Sequence, residues 1–142
     1  MKNLKTLALS LAILVTFTAK AVSINTDNEA LTVNHAVNTY VNALIHGQVS
    51  DLSAVIDQNA KFTMLRGKKM LSFSKADFIN SIKENENVEQ QCVTSTSVTE
   101  SNNDLTVVKV DMKYTDFIRT SYVTLANTTD GWKITSIYSV FK

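Results

Sequence analysis

The hydrophobic pattern of this chain changes to a period of two near residue 87 and keeps it to the end, and this change constrains the fold more than any other feature. Before it, most apolar residues recur at helical spacing. After it they alternate with polar residues in four stretches, at 88–100, 105–115, 118–126 and 132–141. A period of two indicates β-strands, and short turns between long strands favour antiparallel pairing. Helices followed by strands predict an α+β fold.

The first helix is predicted over residues 29–46. Either Thr26 or Asn28 can cap its start, and Gly47 can end it. Its apolar side consists of Ala30, Val33, Ala36, Val37, Tyr40, Val41, Leu44 and Ile45. At 100° per residue, His35 and His46 fall on the opposite side, so both are expected to face solvent. A catalytic role for His46 would require the last helical turn to unwind.

The stretch from residue 50 to residue 85 predicts three further elements. A short helix starts at Ser50-Asp51 and runs to about Ile56. Residues 60–65 and 69–73 then form a hairpin that turns near Gly67. Ser74, with a carboxylate three residues later, is a capping signal for a helix that runs to about residue 85.

The N-terminus has the pattern of a secretory signal peptide. Lys2 and Lys5 precede an uncharged apolar stretch at 7–18, which leads to the small-residue sequence Ala-Lys-Ala ending at Ala21. The apolar stretch is shorter than the roughly 20 residues that a membrane span needs. We expect cleavage after Ala21, or alternatively after Ser23, and export to the periplasm or beyond. A short uncleaved anchor is the other interpretation.

Cleavage would leave a single domain of residues 22–142 with almost no net charge. The chain has 14 Lys and Arg against 13 Asp and Glu, and the leader carries three of the lysines, so the mature chain has a net charge of about −2. Nucleic-acid binding requires a basic face, and only Arg66, Lys68 and Lys69 cluster. We predict no nucleic-acid partner and no membrane association after cleavage.

The residue types that cofactor and metal sites need are scarce. Three glycines leave no glycine-rich phosphate loop, and Cys92 is the single cysteine, which excludes an internal disulfide. Cys92 is interpreted as a small core residue. Because no His, Asp or Glu residues group with the spacing of a ligand set, we predict neither a metal nor a cofactor.

The order of elements resembles the nuclear transport factor 2-like superfamily. The resemblance covers residues 27–142 and ends in Asp130-Gly131-Trp132-Lys133-Ile134. Within it, the chain is most similar to a group of small secreted bacterial proteins labelled putative lumazine-binding. Two further features support this similarity: the helix from Tyr40 to Gly47 and the following Asp51-Leu52. The resemblance implies a strongly curved antiparallel sheet wrapped against N-terminal helices (cystatin-like), a cone-shaped cavity, and a dimer through the outer face of the sheet.

Strand alternation supports an outer-face partner and places some charges. On the last strand Trp132, Ile134, Tyr138 and Val140 align, yet Ile137 and Phe141 make the opposite face apolar as well. A strand that is apolar on both faces is central or is covered by something, and a second subunit is the simplest candidate. Asp111 lies between two lysines in a surface row. Asp116 and Arg119 flank a turn and are positioned to form an ion pair across it.

The candidate pocket residues are mostly apolar side chains with polar tips. They are Tyr40, Phe62, Met64, Phe78, Tyr114, Tyr122, Trp132 and Tyr138. Tyrosine rings can stack on a planar ligand while their hydroxyls bond to it, although plain core packing explains the same residues.

Three functions remain open for such a domain. The leading hypothesis is a non-catalytic exported domain that binds a small apolar or aromatic molecule. The second is an enzyme of the isomerase or dehydratase type, as the superfamily resemblance implies, working through a buried Asp or Tyr. The third is an interaction or structural protein whose own side chains fill the pocket. No acid–base pair is evident in the sequence, so no catalytic residue is assigned.

Overall fold

The computed structural model describes residues 32–142. This part of the chain contains the helices α1 (Val33–His46), α2 (Leu52–Val55) and α3 (Lys75–Lys83). Its strands are β1 (Ile56–Arg66), β2 (Lys69–Phe73), β3 (Val93–Ser101), β4 (Leu105–Lys113), β5 (Ile118–Thr128) and β6 (Gly131–Phe141). The signal peptide and its cleavage site lie outside the described residues. No helix within 32–142 is both long and apolar enough to cross a bilayer.

Helix α1 begins later than the sequence pattern predicted. Thr32 has an extended backbone and its side chain accepts a hydrogen bond from the amide of His35, so the helix starts at Val33 rather than at residue 29. The predicted stop is confirmed. Gly47 has a left-handed φ of 62°, and its amide donates to the carbonyl of Asn42. The buried side of the helix consists of Ala36, Val37, Tyr40 and Ala43.

Helix α3 confirms the capping signal. The Ser74 side chain accepts from the amide of Asp77, and the Asp77 carboxylate accepts from the amide of Ser74. The helix ends at Lys83, two residues before its predicted end, and its buried side consists of Phe78, Ile79 and Ile82.

The six strands form one curved sheet in the order β2-β1-β6-β5-β4-β3. The hairpin β1–β2 and the antiparallel run β3 to β6 are as predicted. The two halves join through a parallel pairing of β1 with β6, which alternation does not reveal. Strand β3 starts at Val93 rather than Val88, because the preceding segment returns to the end of α1, where the amide of Gln90 donates to the carbonyl of Ile45.

A β-bulge in β6 changes which side chains face the helices. Leu125 pairs with Ile134 and Thr124 pairs with Ser136, so Thr135 is an extra residue in β6 that has no paired residue on β5. The extra residue shifts the alternation by one position. Ile134 and Ile137 therefore both lie in the core, with 0% and 2% of their surface exposed. The predicted alignment of Trp132 and Ile134 with Tyr138 and Val140 is wrong for this reason.

The hydrophobic core fills the space between the three helices and the inner face of the sheet. Its largest fully buried side chains include Tyr40, Leu52, Met112, Leu125 and Ile134. Burial of such residues supplies most of the driving force for folding. The opposite face of the sheet is not covered by any element within residues 32–142. Helices on one face of a mostly antiparallel sheet are the α+β fold that the sequence predicted.

Candidate functional site

A cavity of about 560 Å³ lies between α1, α3 and the hairpin β1–β2. Its apolar lining consists of Ala43, Leu44, Met64, Leu71, Phe73, Phe78 and Ile82. A smaller void of about 20 Å³ adjoins it and is lined by Phe62 as well as by Phe73 and Phe78. A volume of several hundred cubic ångströms falls in the range of small-molecule sites.

The hairpin and α3 form the apolar wall because of their registers. In the β1–β2 ladder Met64 lies opposite Leu71 and Phe62 opposite Phe73, so these four side chains share one face. The Phe62 ring stacks on Phe78 from α3 at a centroid distance of 4.0 Å and an interplanar angle of 8°. This stacking fixes the helix against the hairpin.

The other wall of the cavity carries charge. Arg119 from the start of β5 and Arg66 from the end of β1 both line it. Each guanidinium carbon lies 5.8 Å from the centre of the Phe141 ring, so the ring is shared by two cations. Glu84 is the one carboxylate residue among the lining residues. The lining therefore has two positive charges and one negative charge.

Arg119 faces inward because it continues the inner face of β5. Its residue pair across the strands is Phe141, and two residues further on Ser121 pairs with Ser139, both of which are buried. Arg119 Nη2 donates to Ser139 Oγ over 3.4 Å, whereas its Nε is buried and has no partner. No ion pair joins Arg119 to Asp116 within the described residues, so the predicted pair across the turn is wrong.

A row of hydroxyl groups leads from the core to Arg119. The Tyr40 hydroxyl donates to Ser121 Oγ over 3.3 Å, and Ser121 Oγ lies 2.8 Å from Ser139 Oγ. Each of these buried groups has a partner, which is what burial of a polar atom requires. Ser139 is thus already engaged by Ser121, and the guanidinium receives only one long contact from it.

Tyr114 closes the side of the cavity near the β4–β5 turn. Its hydroxyl donates to Gln90 Oε1 over 3.4 Å, and its ring stacks on Phe117 at 4.4 Å. Burial raises the pKa of the Tyr114 hydroxyl, and the neighbouring Cys92 thiol raises it further. Tyr114 is therefore a neutral hydrogen-bonding group near pH 7. Cys92 is half-buried and packs against the core, in agreement with its interpretation as a small core residue.

The structure brings together only part of the predicted pocket. Met64, Phe78 and Tyr114 line the larger cavity, and Phe62 lines the smaller void. The other four candidates lie elsewhere: Tyr40 is fully buried, Trp132 packs beside the core, and Tyr122 and Tyr138 are on the outer face. The β6 bulge accounts for Tyr138, and Tyr122 is its partner across the strands.

The remaining ionisable candidates are on the surface. His46 Nδ1 lies 2.7 Å from a Glu89 carboxylate oxygen in an exposed pair, in agreement with the predicted solvent-facing side. Asp111 pairs with Lys109 at 3.0 Å on the outer face. The hydrogen bond from Thr120, followed by Lys109, holds the pKa of Asp111 below its usual value. Within residues 32–142 no group of three His, Cys, Asp or Glu residues is placed to hold a metal ion.

Sequence reasoning missed the polar wall of the cavity. A signal for Arg119 was present, because Arg119, Ser121, Val123 and Leu125 alternate on the strand and the last two are evidently core residues. Arg66 and Gln90 gave no comparable signal. Arg66 ends a strand, and Gln90 reaches the cavity through a segment whose pattern resembled a strand.

Comparison with known proteins supports the fold and a family. The sequence model of the family described as "Putative lumazine-binding" matches residues 28–139. Solved structures similar to this chain include an NTF2-like protein of unknown function from Silicibacter pomeroyi, with 18% identity, a TM-score of 0.67, and coverage of 84% of this chain and 100% of that chain. A ketosteroid isomerase-like protein from Erwinia carotovora atroseptica has 13% identity, a TM-score of 0.59, and coverage of 80% and 97%. No curated protein matches the sequence.

Proposed function

Because the chain belongs to the Putative lumazine-binding family of the NTF2-like superfamily, we propose that it binds a small, largely apolar molecule in the 560 Å³ cavity. The observation that carries the proposal is the cavity itself, whose lining combines seven apolar residues with seven polar or charged ones. This combination is typical of small-molecule sites, where apolar surface supplies affinity and polar groups fix orientation. Lumazine, from the family's name, is one candidate ligand.

The proposed role is binding without catalysis. General acid–base chemistry needs a group that exchanges protons near neutral pH. Glu84, the one carboxylate residue in the lining, is exposed, and the raised pKa of Tyr114 moves that hydroxyl away from neutrality. These two observations favour a binding protein over the isomerase or dehydratase alternative. Turnover of a bound compound by the purified chain would contradict this part of the proposal.

We also propose that the protein acts after export and as a homodimer. Export rests on the lysines, apolar stretch and Ala-Lys-Ala sequence of residues 1–21. The dimer rests on the uncovered outer face of the sheet, where Tyr122 and Tyr138 are cross-strand neighbours with 40% and 36% of their surface exposed.

The first test of the proposal is a cavity-filling variant. Ser81 lines the cavity from α3 and is exposed, so Ser81→Trp should fill the cavity without displacing the core. Asn80→Trp is the matched control, because Asn80 is exposed on the same helix and outside the lining. Native mass spectrometry of gently purified protein, together with thermal-shift screening of lumazine, flavins, pterins, steroids and fatty acids, provides the readout.

We expect a ligand that binds the wild-type chain and the Asn80→Trp variant but not the Ser81→Trp variant. A ligand at a hundredfold excess over its Kd would stabilise the folded chain by about 2.7 kcal/mol, which a thermal shift detects readily. Binding that is equal in all three proteins would place the ligand outside this cavity. No binding by the wild-type chain would favour the interaction or structural protein over the small-molecule binder.

A further inference from the structure

We infer that the cavity recognises an organic monocarboxylate, whose anionic group is held by Arg119 while its apolar body lies against the Phe73 and Phe78 wall. This inference rests on the proposed binding function and names the ligand class for it. The juxtaposition that carries it is an under-partnered guanidinium beside the aromatic side chains Phe73 and Phe78 in the same cavity.

Arg119 has fewer hydrogen-bond partners than its side chain can use. A guanidinium has five N–H donors in a planar fork. Within residues 32–142 it makes one hydrogen bond of 3.4 Å, to Ser139, and no carboxylate lies within 4.0 Å of it. Its Nε is buried without an acceptor. Arg119 as a whole is half-buried, but burial of one N–H group without an acceptor is costly, and the Phe141 ring compensates for only a small part of that cost.

The cavity gives an anion direct access to Arg119. Arg119 lines both the larger cavity and the adjoining void, so a molecule in the cavity meets its side chain directly. The Ser139 hydroxyl is already bonded to Ser121, and the Ser121 hydroxyl is bonded to Tyr40 as well. These hydroxyls therefore do not supply an acceptor for Arg119 Nε. A planar carboxylate presents two acceptor oxygens that match the guanidinium fork.

The charge and the aromatic residues of the cavity lining limit what kind of anion fits. Arg66 adds a second cation beside the Phe141 ring, and Glu84 offsets one of the two positive charges in the lining. The net lining charge of +1 suits a monoanion better than a dianionic phosphate. The rings of Phe73 and Phe78 also line the cavity, so the body of the ligand is expected to be aromatic or alicyclic.

The test compares ligands that differ only in the anionic group. The probes are 2-naphthoate and its neutral amide 2-naphthamide, with indole-3-acetate and indole-3-acetamide as a second pair, measured by isothermal titration calorimetry. The proteins are the wild-type chain, Arg119→Met and Arg119→Lys. Lys61→Met is the matched control, since Lys61 is exposed, lies outside the lining and loses the same charge.

We expect the wild-type chain and Lys61→Met to bind at least one of the carboxylates at least tenfold more tightly than its amide. Arg119→Met should abolish this preference while retaining affinity for the amide, which also shows that the variant is folded and its cavity intact. Arg119→Lys should keep part of the preference. Equal affinities for acid and amide in the wild-type chain would overturn the carboxylate inference yet leave the proposed binding function standing. An unchanged preference in Arg119→Met would overturn the role of Arg119.

Failure of the binding function itself has a different signature. If none of the four probes binds and no compound in the cavity-filling experiment does either, then both the proposed function and this inference are wrong. If neutral compounds bind in that experiment and all four probes fail, then only the carboxylate inference is wrong.

Discussion

At the scale of single residues, Gly47 ends α1 at a position that has no room for a side chain. A Cβ at this position would contact the amide nitrogen of Asn87 and would lie 2.5 Å from the carbonyl oxygen of Asn85, which also lines the cavity. Its φ of 62° adds left-handed strain for any other residue. Gly47 therefore brings the end of α1 against the start of the segment that follows α3.

Comparison of Gly47→Ala with Gly67→Ala separates the cost of the left-handed backbone from the cost of the close contacts. Gly67 has a φ of 63°, but a Cβ there would have nothing within 4 Å. Strain alone should cost Gly67→Ala about 1 kcal/mol of unfolding free energy. Gly47→Ala should lose at least about 2 kcal/mol, because backbone atoms must also move. Urea unfolding followed by circular dichroism measures both, and equal losses would contradict the close packing at Gly47.

At the scale of elements, the capping box of α3 stabilises the helix that forms one wall of the cavity. The side-chain hydrogen bond from Ser74 to Asp77, together with that from the Ser74 amide, lowers the pKa of the Asp77 carboxyl. A carboxyl whose pKa is lower in the folded chain stabilises that state above its unfolded pKa, near 3.8, and loses this effect as the pH falls through its folded value. The cap should therefore be strongest at neutral pH.

Ser74→Ala removes the cap while leaving the buried side of α3 unchanged. An N-cap serine replaced by alanine typically costs about 1 kcal/mol, and we expect this loss at pH 7. The difference in unfolding free energy between wild type and variant should shrink below about pH 3.8, as the carboxyl becomes protonated. Ser97→Ala, an exposed serine on β3, serves as the control. A loss that does not change between pH 7 and pH 3 would show that Asp77 takes no part.

The helices and strands also show how much of the fold could be predicted from the sequence. Hydrophobic period, capping residues and turns are local, and they predicted the hairpin, α3 and the antiparallel strands to within a few residues. The β6 bulge and the parallel β1–β6 pairing are not local, because they depend on how distant strands meet. One extra residue at Thr135 moved Tyr138 from the expected inner face to the outer one. The predicted pocket therefore included Tyr138, which lies on the outer face. Arg119 was missed because its position beside a turn suggested an ion pair with Asp116 instead.

At the scale of the whole molecule, the two faces of the sheet have different roles. The helices cover the inner face over β1 and β6, and the cavity, where charge and aromatic surface meet, opens at one side of it. On the outer face the cross-strand pair Tyr122 and Tyr138 lies beside the ion pair of Lys109 with Asp111. Exposed aromatic residues beside polar groups are typical of protein–protein interfaces. A dimer through this face would leave the cavity accessible from the opposite side of the sheet.

The dimer prediction can be tested with one substitution on each face. Tyr138→Lys puts a charge in the centre of the outer face, where two copies related by a twofold axis would place like charges close together. We expect the wild-type chain to sediment with twice the mass of one chain at micromolar concentrations and Tyr138→Lys to sediment as a single chain. Val98→Lys is the control, because Val98 is 62% exposed but pairs with the inner-facing Val108. A wild-type mass of one chain across this range would contradict the dimer, and dissociation by Val98→Lys instead would place the interface on the other side of the sheet.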